Sequence, residues 1–212
     1  MKRLFVVSSI GLWVLGLGAL PAHAEAPVIL VFGDSISAGY GLEHADQGWV
    51  GLLRTKLKDS GYETQVVNAS VSGETTAGGL SRLPRALNQH HPQIVILELG
   101  GNDGLRALPV EQLRTNLERM VGLAQAAGAR VLLLGIRIPP NYGPEYTDKF
   151  FAVYGQVAEA EKIPLLPFLL DGIALSPSLM QADGIHPNQA GQPRLLANIW
   201  PALEPLLPHP NR

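Results

Sequence analysis

Apolar residues along this chain gather into short, almost unbroken runs, separated by longer stretches in which they recur with helical spacing. The runs cover residues 28–32, 62–68, 93–99, 130–135 and a brief 163–166. Near-continuous apolar character, rather than strict alternation, predicts strands of a parallel sheet buried on both faces. Between them the spacing predicts helices at about 47–60, 77–89, 110–127, 147–161 and 188–207. In the third, Leu113, Leu117, Met120, Val121 and Ala124 form one apolar stripe. Gly61 and Gly128 fall just past helix ends, where a left-handed cap is commonly glycine. Strict alternation of strand and helix implies a three-layer α/β/α sandwich. Two segments, 138–145 and 167–182, are rich in proline, glycine and polar residues and fit neither pattern. Loops of that length in a compact domain are usually functional.

The first 24 residues stand apart from this pattern. Lys2 and Arg3 precede an uncharged apolar stretch, and Pro21-Ala22-His23-Ala24 closes it with small residues at the A-x-A positions. These are the parts of a secretory signal peptide, with cleavage expected after Ala24. Residues 25–212 then form a single domain, exported to the periplasm or secreted, with no stable membrane span after cleavage. Loss of Lys2 and Arg3, with no acid before Glu25, takes the formal charge from −2 to −4. A mildly acidic chain without basic clusters offers no footprint for nucleic acid. The chain has no cysteine, so neither a disulfide nor a lipid anchor on cysteine is available, and stability must come from the core.

Four short stretches fall where strands end. Gly33-Asp34-Ser35 follows the first, Ser70-Val71-Ser72-Gly73 the second and Gly100-Gly101-Asn102-Asp103 the third, while Asp183-Gly184-Ile185-His186 comes late. In a parallel sheet the carboxyl ends share one edge, so these loops can converge. Acyl transfer fits the set. Ser35 is the candidate nucleophile and needs an adjacent base. His186 is the candidate base, because imidazole changes charge near neutral pH. Asp183 would accept the Nδ1 proton and fix the tautomer. The Ser35 and Gly73 N–H groups and the Asn102 amide would make a three-donor oxyanion hole. Singly, each has a plain alternative: a turn serine, a turn glycine, an Asx-turn asparagine, a loop D-x-x-H. Their joint occurrence, in order, at successive strand ends is what counts.

With those residues in view, the chain resembles the SGNH (GDSL) hydrolase superfamily. Within it the chain is similar to the exported bacterial multifunctional acyl-thioesterase/lysophospholipase/arylesterase group. The blocks at residues 31–41, 68–75, 98–106, 140–143 and 183–188 carry the resemblance, with Ile36 in place of the leucine in the family name. It implies a flavodoxin-like sheet of order 2-1-3-4-5, no metal or organic cofactor, and a small acyl ester, thioester or lysophospholipid as substrate. The chain is expected to act as a monomer. Two readings compete: a carbohydrate O-acetyl esterase of the same superfamily, and an exported acyl- or lipid-binding module without turnover. An α/β-hydrolase is excluded, because position 37 is serine and no G-x-S-x-G elbow exists.

Remaining residues invite lesser expectations. Leu105, Leu108, Ile138, Pro139 and Tyr142 lie on loops near the expected site and are candidates to line an acyl groove; ordinary packing would explain them equally. Asp34 and Asp103 read as acceptors that brace loops. Glu98, a carboxylate in an apolar run, is costly unless paired. It is expected either to brace the neighbouring loops, with Arg137 as one candidate partner, or to sit exposed at the strand end. His90-His91 closes a helix, complementing its dipole, while His44 and His209 read as solvent-facing.

Overall fold

The computed structural model describes residues 26–208. The expected signal peptide and His209 lie outside the described residues. Five parallel strands, β1 (Val28–Gly33), β2 (Gln65–Asn68), β3 (Ile94–Glu98), β4 (Arg130–Leu134) and β5 (Leu165–Leu166), form one sheet in the order β2-β1-β3-β4-β5. The helices are α1 (Ser35–Ala38), α2 (Trp49–Asp59), α3 (Thr76–His90), α4 (Gly101–Leu105), α5 (Val110–Ala126), α6 (Pro144–Glu161) and α7 (Gln192–Leu203). No helix among the described residues is long and apolar enough to cross a membrane.

Each central strand divides its side chains between two cores. Leu30, Phe32, Val95, Leu97, Val131 and Leu133 face the layer of α3, α5 and α6. Ile29, Val31, Ile94, Ile96, Leu132 and Leu134 face α2 and α7. A strand with helices on both sides needs apolar residues at every position, which is why the runs in the sequence are continuous. The stripe on α5 is buried as its spacing predicts, with Asn116 added to it.

Departures from the expected elements have local causes. The strand predicted over 62–68 starts only at Gln65, because Tyr62 completes the exit of α2. Its N–H bonds to the Leu57 carbonyl and that of Gly61 to the Lys58 carbonyl, while Gly61 takes φ 77°. That is a Schellman cap, with Tyr62 as its last member. The helix predicted over 188–207 is broken into a 3₁₀ turn (Gln189–Gly191), α7 and a second 3₁₀ turn (Glu204–Leu206). The Asn188 side chain caps the first turn by accepting from the Gly191 N–H, and the second contains Pro205, which has no N–H to donate. Helix α6 begins at Pro144, inside the unassigned 138–145 segment, with proline at its first position. The short helices α1 and α4, too brief to leave a periodic signal, follow β1 and β3 directly at the carboxyl edge of the sheet.

Candidate active site

Parallel pairing of β1 with β2 and β3 puts the ends of all three strands on one edge. The chain leaves β1 into α1, with Asp34 as its N-cap and Ser35 as its first residue. Asp34 Oδ1 accepts from the Ile36 N–H at 3.1 Å, satisfying the second helical donor. The Ser35 N–H has no hydrogen-bond partner among the described residues.

The late loop reaches Ser35 from the far end of the chain. His186 Nε2 lies 2.8 Å from Ser35 Oγ, and His186 Nδ1 lies 2.7 Å from Asp183 Oδ2. The other Asp183 oxygen accepts the N–H groups of Ile185 and His186, at 2.9 and 3.0 Å. One carboxylate thus folds the turn with one oxygen and holds the imidazole with the other. Burial opposes ionisation of Asp183, but hydrogen bonds from the His186 ring and from the His186 and Ile185 amides outweigh it and lower the pKa to about 2. An ionised carboxylate only accepts, so in the neutral imidazole Nδ1 carries the proton and Nε2 presents its lone pair to Ser35.

Gly73 sits in the turn after β2, closed by the Glu74 N–H on the Val71 carbonyl at 3.1 Å. Its φ of +80° is left-handed, so the backbone and not crowding calls for glycine: a Cβ there would meet nothing within 4 Å. Arg106 donates to the Gly73 carbonyl at 3.1 Å. Arg82 anchors the same loop, bonding Glu74 at 2.6 Å and the Ala69 carbonyl at 3.1 Å. Asn102, on α4, donates through Nδ2 to Asp34 Oδ2 at 3.1 Å. One amide proton is thereby held, the plane of the group is fixed, and the second proton stays available.

Asp34 and Asp103 brace loops as the sequence suggests. Asp103 accepts the Thr76 N–H at 2.8 Å and the Thr76 hydroxyl, which in turn accepts from Asn116 at 3.0 Å, linking the start of α3 to α4 and α5. Burial raises the Asp34 pKa to about 6, against the lowering pull of the Ile36 N–H, His186 and Asn102. Glu98 braces the neighbouring loops as expected, but not through Arg137. It is fully buried, not exposed, and its partners are the Ser37 hydroxyl at 2.6 Å and the Asp34 N–H at 3.2 Å. Arg137 is elsewhere: it is exposed and stacks on Phe151, 3.6 Å from the ring centroid.

The groove candidates separate. Leu105 and Tyr142 meet, the Tyr142 hydroxyl donating to the Leu105 carbonyl at 2.8 Å, and Tyr146 holds the Leu108 carbonyl at 2.7 Å. Ile138 belongs to the core, packed where a Cβ on Gly104 would strike it, and Pro139 is exposed. A surface cavity of about 550 Å³ lies instead beside the Asp183 loop, between Leu175, Met180, Gln181 and Gly184. Sequence reasoning also missed Tyr40, whose ring centroid lies 4.7 Å from that of His186. Gln181 ties the two loops by donating to the Tyr40 and Pro187 carbonyls at 2.8 and 3.1 Å. No spacing rule marks the contact of Gln181 with Tyr40, 141 residues away.

Residues 31–194 match the model of the GDSL-like lipase/acylhydrolase family. The chain is 56% identical over 193 residues to esterase TesA of Pseudomonas aeruginosa, covering 91% of this chain and 96% of that protein. It is 44% identical over 186 residues to thioesterase 1/protease 1/lysophospholipase L1 of Escherichia coli, with 88% of each covered. A crystal structure of TesA superposes with a TM-score of 0.83 at 57% identity, over 85% of this chain and 99% of that one. The chain therefore belongs to the GDSL-like lipase/acylhydrolase family and is a serine hydrolase of it.

Proposed function

We propose that this protein hydrolyses acyl esters and thioesters, among them aryl esters, acyl-CoA and lysophospholipids, through Ser35, His186 and Asp183. The observation that carries the reading is the unbroken chain Ser35 Oγ to His186 Nε2, 2.8 Å, and His186 Nδ1 to Asp183 Oδ2, 2.7 Å. In this scheme Ser35 Oγ attacks the substrate carbonyl while Nε2 takes its proton. Asp183 stabilises the imidazolium by charge. The negative oxygen of the tetrahedral intermediate receives the Ser35 and Gly73 N–H groups and the free Asn102 amide proton. His186 then returns its proton to the leaving alcohol or thiol. An acyl-enzyme remains on Ser35, and water activated by the same imidazole hydrolyses it.

Ester and thioester carbonyls present the same geometry to Ser35, so one site serves both. The relatives are named for esterase, thioesterase and lysophospholipase activities, which supports acyl chains over acetylated sugars. The reading extends to the beginning of the chain, where residues 1–24 would direct export and leave the mature enzyme in the periplasm or outside the cell. The test is a rate profile over acyl esters and thioesters of increasing chain length, with an acetylated sugar as control and Ser35→Ala alongside. Turnover of the acyl series that vanishes in Ser35→Ala is expected. Preference for the acetylated sugar would move the protein to the O-acetyl esterase class, and saturable binding without product would make it a binder.

A further inference from the structure

Beneath the nucleophile segment lies a carboxyl group that the hydrolytic steps leave unused. Glu98 ends β3, and the register of β3 against β1 sets it level with Gly33. Its Oε2 accepts from the Ser37 hydroxyl at 2.6 Å and from the Asp34 N–H at 3.2 Å. A Cβ on Gly33 would stand 2.5 Å from that oxygen, so glycine makes room for the approach. The other oxygen, Oε1, is buried and has no hydrogen-bond partner among the described residues.

The groups facing Glu98 are the Asp34 carboxyl, from the junction of β1 and α1, and the Tyr154 phenol, from α6. Tyr154 donates its proton to the Leu99 carbonyl at 3.1 Å, and no salt bridge reaches Glu98 among the described residues. An ionised Glu98 would leave a charged oxygen without a donor, beside a second buried carboxylate. Each of these is costly in a water-free interior. A proton on Oε1 removes the charge and keeps Oε2 as the acceptor for Ser37 and Asp34.

We propose that Glu98 is a neutral carboxylic acid that positions Ser35, gripping Asp34 just before it and Ser37 two residues after it, and leaving Asp34 as the sole anion of the buried pair. The inference rests on the reading of Ser35 as nucleophile. Asp34 and Ser37 flank Ser35, so the direction of its hydroxyl and its free N–H depends on how Glu98 holds them. With Glu98 uncharged, Asp34 alone accepts from Asn102 and Ile36. Burial and the Asp34 charge both push the Glu98 carboxyl well above the ordinary glutamate range, which agrees with the geometry.

Glu98→Gln keeps shape, neutrality and the acceptor oxygen; Glu98→Ala removes all contacts. With a nitrophenyl ester as substrate, Glu98→Gln is expected to stay within about threefold of wild-type kcat, whereas Glu98→Ala loses about tenfold or more at little changed KM. Infrared spectra of the wild-type protein slightly above neutral pH should contain a protonated-carboxyl band that Glu98→Gln lacks. Absence of that band from the wild type, or a folded Glu98→Gln as impaired as Glu98→Ala, overturns the proposal. The infrared arm needs no turnover, so it separates failure of this inference from failure of the nucleophile assignment, which Ser35→Ala tests in the same assay.

Discussion

Replacing Asn102 by alanine removes one of three donors proposed for the oxyanion and one partner of Asp34. The two losses have different sizes and different readouts. Asn102 is half-buried on a short helix, and its hydrogen bond to Asp34 Oδ2 at 3.1 Å is charge-assisted. Buried, such a bond contributes roughly 1.5–3 kcal/mol; partial exposure brings the stability cost towards about 1 kcal/mol. In the proposed scheme the kinetic loss is larger, because the amide donates where negative charge develops during attack. Loss of one oxyanion donor costs roughly 10²–10³ in kcat, about 3–4 kcal/mol. The ground-state carbonyl uses this donor weakly, so KM should hardly move. Steady-state kinetics on a short-chain nitrophenyl ester, with thermal unfolding of the same preparation, measures both effects. Wild-type kcat, or a loss confined to KM, would falsify the role given to Asn102 and reduce it to a brace for its loop.

Three further outcomes follow from the same geometry. Asp183→Asn presents an amide where an anion holds Nδ1–H, so the imidazole loses its tautomer and kcat should fall by about 10⁴, as in other serine triads; a tenfold loss or less would mean that His186 is oriented by its loop alone. Gly73→Ala keeps its N–H and meets open space, but holds φ +80°, so unfolding measurements should record about 1–2 kcal/mol of destabilisation with a smaller kcat loss than Asn102→Ala; an undiminished melting temperature contradicts the strain. Because the folded state raises the Glu98 pKa, the wild type binds a proton that its unfolded chain has released, and that contribution drains away as pH rises above the ordinary glutamate value. Glu98→Gln lacks this term, so its stability relative to wild type should improve between about pH 5 and 7, by at most about 1.4 kcal/mol per pH unit. A relative stability that does not change over that interval speaks for an ionised Glu98 at all these pH values.

The sheet was readable because each central strand is buried on both sides, which turns it into an apolar run. Boundaries failed where the chain spends residues on caps: Tyr62 looks like strand but closes α2, and Asn188 and Pro205 divide one apolar stretch into turn, helix and turn. That the segments holding Ser35, Gly73 and Asn102 leave the sheet at one edge could be anticipated from parallel topology, while the late loop of Asp183 and His186 reaches Ser35 from outside that rule. Side-chain pairings across that edge carry no spacing signal. Glu98 reads as an anomaly in an apolar run, yet only folding reveals that it faces Ser37 rather than Arg137. Ile138 stands on the loop after β4 but turns inward beneath Gly104, a direction that sequence position does not encode.

The central claim is that Ser35 forms the covalent bond to the acyl group. An alkyl fluorophosphonate, which reacts with an activated serine and stays attached, followed by peptide mass spectrometry, tests this directly. A single adduct on Ser35, formed in step with loss of esterase activity and absent from His186→Ala, is the expected result. Complete inactivation with the label on another residue, or full activity with Ser35 modified, would contradict the account.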